Sequence, residues 1–206
     1  MKRLIVSDAD STFFRQEVIE LIAEHAGTRD EVAAVTERAM RGELDFAGSL
    51  RERVATLAGV PVEALDKVRA AVELMPGARE LVAGCQARGW AFGLVSGGFE
   101  EIAVPIAREL GIELVRANRL EVADGVLTGR TVGPVIDRAA KAATLREWAA
   151  QAGVPLEQTV AVGDGANDLD MIGLAGVGVA FNAKPLVREQ APYVIEDRLD
   201  NLLALL

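Results

Sequence analysis

A chain of 206 residues, half of them apolar and 26% charged, is long enough for one substantial core with a small inserted or appended unit. Its formal charge of -9 repels phosphate backbones and no basic patch offsets it, so nucleic-acid binding is not expected; nor is a leader or a membrane span, because residues 4–6 are too short for one and no uncharged apolar run approaches ~18 residues. Cys85 and His25 are the only residues of their types, which excludes a Cys/His zinc site, a disulfide within the chain and a two-cysteine redox pair, and leaves any catalysis to Asp, Glu, Lys, Ser and a bound metal.

The first strand is expected at 4–6, with Asp8 and Asp10 immediately after it. From about 17 to 74 there is no convincing strand. The pattern predicts three or four short helices, broken at Gly27-Thr28, Arg41-Gly42 and Gly59-Val60-Pro61, and inserted between the first and second strands. In the helix expected over 45–57, Phe46, Leu50, Arg53 and Leu57 share one stripe while Arg51 and Glu52 point away; an arginine centred on an apolar stripe calls for an anion, either a ligand or a buried acidic side chain. Cys85 falls in an apolar helical pattern and reads as core.

A second strand at 91–95 leads to Ser96, with Gly97 and Gly98 expected to open a helix whose free N–H groups favour an anion, although Ser-Gly-Gly is also a plain turn. A short strand is expected at 113–115 and a hairpin over 119–133, turning at Asp124-Gly125. On the helix predicted over 137–151, Lys141 shares the apolar stripe of Leu145, Trp148 and Ala152, so its ammonium needs an anion or a route to water. A buried strand at 159–162 ends in Gly163-Asp164-Gly165, with Asp164 facing the region of Asp8 and Asp168 at a helix N-cap or first turn; Asp170 reads as solvated. The last strand is expected at 177–180. Alternation of short strands and helices predicts an α/β, doubly wound parallel sheet, in which ligands bind beyond the carboxyl ends of the strands. Carboxylates clustered there repel one another unless a hard cation joins them, and an all-oxygen donor set points to Mg²⁺.

Asp8-Ala9-Asp10-Ser11-Thr12, Ser96, Lys141 and Gly163-Asp164-Gly165-Ala166-Asn167-Asp168 resemble, in this order, the four motifs of the haloacid dehalogenase superfamily of phosphohydrolases; Ser7 departs from its usual aromatic or apolar residue before the first aspartate. Together with "AMRGELDFAGSLRERV", "VSGGF", "ANRLEV" and "DGVLTG", they are similar to the phosphoserine phosphatase family over nearly the entire chain. The resemblance implies a core over 1–14 and 75–206 with a helical cap over 15–74 and a β-hairpin, and no feedback through an added amino-terminal domain. It implies that Asp8 is the nucleophile and Asp10 the proton shuttle, with Ser96 and Lys141 on the phosphoryl group. Mg²⁺ would be held by Asp8, the Asp10 backbone carbonyl and Asp164, with Asp168 in support. It also puts Arg53 on the substrate carboxylate, Glu17 on its ammonium, Met40 and Phe46 over the pocket, and Gly97, Gly98 and Asn167 around the substrate.

The implied reaction is hydrolysis of O-phospho-L-serine, the last step of phosphorylated serine biosynthesis, by a cytoplasmic monomer or homodimer with no nucleic-acid or membrane partner. Another small phosphomonoester phosphatase stays open, as does a phosphotransferase passing the group to an alcohol such as homoserine. A phosphorylatable signalling module would also cluster aspartates, Lys and Mg²⁺, but would not need the helical insert or Asp10.

Overall fold

The computed structural model describes residues 2–40 and 43–206. β1 (Leu4–Ser7), β2 (Ala91–Phe99), β3 (Leu114–Ala123), β4 (Val126–Val132), β5 (Thr159–Gly163), β6 (Val177–Phe181) and β7 (Tyr193–Ile195) form one sheet in the order β4-β3-β2-β1-β5-β6-β7. All neighbours are parallel except β3 and β4. β1 is central because its side chains are apolar or small enough to be covered on both faces: Leu4 and Val6 enter one core cluster and Ile5 the other. The chain builds outward from β1 to β2 and β3, then returns to β5 on the other side, so the strand order reverses at β1 and leaves a crevice at its carboxyl end.

Helices α1 (Val18–Ala26), α2 (Arg29–Met40), α3 (Phe46–Ala55) and α4 (Ala64–Ala71) lie between β1 and β2 in the chain, as the pattern predicts. Gly27 ends α1 with φ of 70°, its amide returning to the Ala23 and Glu24 carbonyls, a left-handed C-terminal turn that glycine adopts without strain. α3 starts where Asp45 accepts the Gly48 amide at 2.6 Å. The break expected at Arg41-Gly42 lies outside the described residues. Apolar faces of this insert, including Val18, Ile22, Leu50, Val54, Leu57, Leu65 and Val68, join the same core cluster as Ile5, Leu81 and Leu94. The loop after α3 is also joined to the β3–β4 hairpin through main-chain bonds: Gly59 donates to Leu127 at 2.8 Å, Leu127 to Val60 at 2.8 Å and Val62 to Gly125 at 2.9 Å. α3 comes so near that a Cβ on Gly129 would stand 3.1 Å from the Ala55 carbonyl.

The remaining helices, α5 (Ala78–Ala87), α6 (Glu100–Glu109), α7 (Arg138–Ala152), α8 (Leu169–Leu174) and α9 (Pro185–Gln190), complete the chain together with short 3₁₀ turns. Cys85 is buried in α5, as its pattern predicts, and burial pushes its thiol up to about 12. No helix among the described residues is long and apolar enough to cross a membrane.

Three expectations are corrected. β2 continues through Phe99 and α6 starts at Glu100, so Gly97 and Gly98 do not open a helix. β3 begins at Leu114 and runs unbroken into the hairpin, where two separate features were expected. β7 was not foreseen; with three residues, two of them exposed, it carries no alternation to read.

Candidate active site

Five chain segments converge at the carboxyl end of β1. Asp8 follows the strand, its amide bonded to the Val162 carbonyl at 2.8 Å and its side chain nearly buried. Lys141 reaches it from α7, a helix started by Asp137, which accepts the Ala140 amide at 2.8 Å. Wholly buried, the Lys141 Nζ donates to Asp8 Oδ1 at 2.7 Å and Asp168 Oδ1 at 2.6 Å. The lysine on the apolar stripe therefore ends on two anions and not in water. Asp168 closes the 3₁₀ turn Ala166–Asp168 and stands at the N-cap position of α8, as expected, but its side chain reaches back to accept the Gly165 amide at 3.0 Å and makes no cap bond to α8. A Cβ on Gly163 would stand 2.3 Å from Asp168 Cγ, which reserves that position for glycine.

Asp164 accepts the Thr12 hydroxyl at 3.1 Å, and one oxygen each from Asp8, Asp164 and Asp168 lie within 4.8 Å of one another. The single charge of Lys141 does not balance this cluster. Burial, then repulsion from Asp168, pushes the Asp8 carboxyl well above its usual range, and Asp164 rises to about 6 for the same two reasons. Burial alone would lower Lys141, but the two carboxylates outweigh it and hold the ammonium above its ordinary value. Oxygen donors this close, two of them reluctant to ionise without more positive charge, fit a hard divalent cation.

Asp10 stands apart from that cluster. Its Oδ1 is buried without a hydrogen-bond partner among the described residues. Burial first, and Glu17 second, raise its carboxyl well above the usual carboxylate range, so that it keeps a proton where an exposed aspartate would lose one. Ser96 is buried, its Oγ accepting the Gly98 amide at 2.8 Å. A Cβ on Gly98 would fall 2.7 Å from Asp10 Oδ2, and one on Gly97 would fall 2.9 Å from the tip of the Phe46 ring. These glycines admit neighbouring side chains, a different use from the helix start expected of them.

A cavity of about 520 Å³ opens over this floor, lined by Asp8, Asp10, Gly97, Gly98, Asp164 and Asn167 from the sheet edge and by Glu17, Phe46, Leu50 and Arg53 from the helical insert and its approach. Ser96, Lys141 and Asp168 lie beneath it, each almost wholly buried. No carboxylate among the described residues comes within ion-pair distance of Arg53; burial lowers its guanidinium, with Glu17, Asp10 and Glu20 acting in the opposite direction. Arg53 is thus not paired with a buried carboxylate; its Nε donates to the Ser49 carbonyl of its own helix at 3.3 Å. Glu17, at the start of α1, accepts the Ser11 hydroxyl at 2.8 Å. The Met40 side chain lies outside the described residues. Asp170 bonds Arg138 on the surface, away from the cavity.

Sequence reasoning gave no role to three residues here. Thr12 and Ser11 sit inside the aspartate motif, and their hydroxyls hold Asp164 and Glu17. Lys184 lines the cavity, its amide donating to the Asp164 carbonyl at 3.1 Å; lying in a loop, it has no periodicity to betray it.

The chain is similar to known proteins over its whole length. Residues 5–172 match the family model for haloacid dehalogenase-like hydrolases. The chain is 57% identical over 206 residues to the phosphoserine phosphatase SerB2 of Mycobacterium tuberculosis, of which it spans only half the length. It is 54% identical over 197 residues to a phosphoserine phosphatase of Streptococcus thermophilus, covering 96% of this chain and 92% of that one. A solved structure described as a phospho-aspartyl intermediate analogue of phosphoserine phosphatase superposes with a TM-score of 0.93 at 41% identity, over 100% of this chain and 99% of the other. Fold, motif order and full-length similarity agree: the chain belongs to the haloacid dehalogenase-like hydrolases and, within them, to the phosphoserine phosphatase family.

Proposed function

We propose that this protein hydrolyses O-phospho-L-serine to L-serine and phosphate through an aspartyl-phosphate on Asp8. The observation that carries this reading is the cavity itself, whose lining combines a lysine-bridged carboxylate cluster with Arg53 and Glu17. Such a pocket fits a small molecule bearing a phosphate, a carboxylate and an ammonium group. A sugar phosphate would leave the charges of Arg53 and Glu17 unpaired.

In the first half-reaction an Asp8 oxygen attacks phosphorus and the bond to the serine oxygen breaks, while Asp10 gives its proton to that oxygen. In the second, the Asp10 carboxylate takes a proton from water, whose oxygen attacks phosphorus; the bond to Asp8 breaks, releasing phosphate and restoring the carboxylate. The raised proton affinity of Asp10 suits the first role. Lys141 and the Ser96 hydroxyl hold phosphoryl oxygens and Gly97 offers its amide, with Asn167 at the rim. Mg²⁺, held by Asp8, Asp164 and the Asp10 carbonyl with Asp168 in support, would neutralise phosphoryl charge. On this reading the helices of 15–74 act as a cap over a core of 1–14 and 75–206, Phe46 covers the substrate, and the reaction is a cytoplasmic step of serine biosynthesis.

The test is phosphate release from O-phospho-L-serine, phosphothreonine and sugar phosphates, each with and without Mg²⁺. Mg²⁺-dependent preference for phosphoserine is expected; preference for a sugar phosphate would overturn the reading of Arg53 and Glu17. Arg53→Ala should raise KM for phosphoserine about 10- to 100-fold, the worth of one charge-assisted hydrogen bond, and leave p-nitrophenyl phosphate turnover within about twofold. Equal losses on both substrates would remove Arg53 from recognition of the carboxylate.

A further inference from the structure

We propose that Asn118 is a positioning residue that aims the Ser96 hydroxyl, acting through the Gly97–Gly98 peptide; this rests on the phosphoryl role given above to Ser96. β2 and β3 pair in register from Gly93 to Val95 and again at Phe99, but Val95 lies opposite Arg116 and Phe99 opposite Asn118, so residues 96–98 bulge against Ala117 alone. A bulge strips backbone groups of their ladder partners, and here a side chain replaces one. Asn118, 2% exposed, donates from Nδ2 to the Gly97 carbonyl at 2.8 Å and accepts the Ile136 amide on Oδ1 at 2.9 Å. One neighbour only accepts and the other only donates, which fixes the orientation of the amide.

Holding the Gly97 carbonyl fixes the plane of the peptide it shares with Gly98, whose N–H points the opposite way and donates to Ser96 Oγ at 2.8 Å. With an N–H on one lone pair, the hydroxyl turns its proton away from Gly98, and on the role given above that proton goes to a phosphoryl oxygen. Through its other arm Asn118 holds Ile136, directly before the Asp137 cap that starts the helix of Lys141. One buried amide thus ties together the two elements that carry the hydroxyl and the ammonium. No glycine, serine or lysine need move far for the effect to be felt, because a donor displaced by a fraction of its bond length stops matching the developing charge.

The experiment is a double-mutant cycle with Asn118→Asp, which keeps an acceptor for Ile136 and replaces the donor to Gly97, and Ser96→Ala. Both phosphoserine and p-nitrophenyl phosphate are assayed, with melting curves confirming the fold. Asn118→Asp alone should lower kcat about 10- to 100-fold on both substrates, the usual cost of losing a residue that orients a reacting group, with less than about threefold change in KM for phosphoserine. In the Ser96→Ala background the same change should cost less than about threefold, since its route to the phosphoryl group is already gone. Additive losses, or a rise in KM confined to phosphoserine, would overturn the proposal. Should Asn118→Asp fail to fold, Asn118→Ser, which keeps both hydrogen-bonding functions one bond short, goes through the same cycle with the same deciding outcomes. If wild type cleaves p-nitrophenyl phosphate but not phosphoserine, the substrate reading fails while the cycle still decides the role of Asn118.

Discussion

Asp8 and Asp10 are two residues apart and differ in their company. Burial raises the proton affinity of both, but Lys141 and the acidic cluster surround the first, whereas the second keeps a buried oxygen with no hydrogen-bond partner among the described residues and has Glu17 as its main repulsion. On the proposed mechanism that asymmetry divides attack from proton transfer, and it predicts unequal replacements. Asp8→Asn, nearly isosteric, should reduce phosphoserine turnover by at least about 10³-fold while the protein still melts cooperatively. Residual turnover above that level in a clean preparation would reassign the nucleophile. Asp164 makes a separate prediction for protein stripped of cations. Its folded value of about 6 exceeds the about 3.9 of an unfolded aspartate, so between those values the folded state holds a proton that the unfolded state has lost. Relative to Asp164→Asn, wild-type melting temperature should therefore fall as pH rises from about 4 through about 6 and level off above it. A relative rise over that interval would contradict the sign.

At the scale of elements, most of the framework can be read in the residues and some of it cannot. Lys141 could be found because a charge on the stripe of Leu145 and Trp148 needs either an anion or a route to water, and α7 delivers it to two carboxylates. Arg53 could be found on α3 for the same reason. The Ser96-Gly97-Gly98 segment misled because glycine is compatible with both a helix start and a bulged strand, and the choice is made by Asn118 and Phe46, which are distant in sequence. Ser11, Thr12 and Lys184 stayed hidden since a lone hydroxyl or loop lysine has no period, and only the folded chain shows what it touches. The close fit of the bulge carries its own expectation: Gly98→Ala should cost about 10²-fold or more in kcat, its methyl competing with Asp10 for one space, while far-ultraviolet circular dichroism stays unchanged. Activity within about threefold of wild type would mean that the segment yields more easily than its contacts imply.

For the molecule as a whole, the floor of the cavity joins residues 8, 12, 141, 164 and 168, so the two ends of the chain meet at a charge imbalance. A ligand that corrects the imbalance binds the folded state alone. Mg²⁺ at about 100 times its dissociation constant should add about 2.7 kcal/mol to stability, read as a rise in melting temperature at pH 7.5 that chelator reverses and Asp164→Asn diminishes. An unchanged melting temperature on titration with Mg²⁺ would argue against a cation at this cluster. Phosphoserine turnover should disappear and return with the same chelation and readdition.

The three main-chain hydrogen bonds between the loop at 59–62 and the β3–β4 hairpin matter most to anyone wishing to retarget the pocket. Helix α3, which carries Phe46, Leu50 and Arg53, runs into that loop, so a hairpin far away in sequence anchors the end of the segment that lines the cavity. A foreign segment that replaced 59–62 as well would leave peptide groups unmatched along that seam, whereas one confined to α3 keeps the seam's bonds and changes the wall that carries Phe46, Leu50 and Arg53.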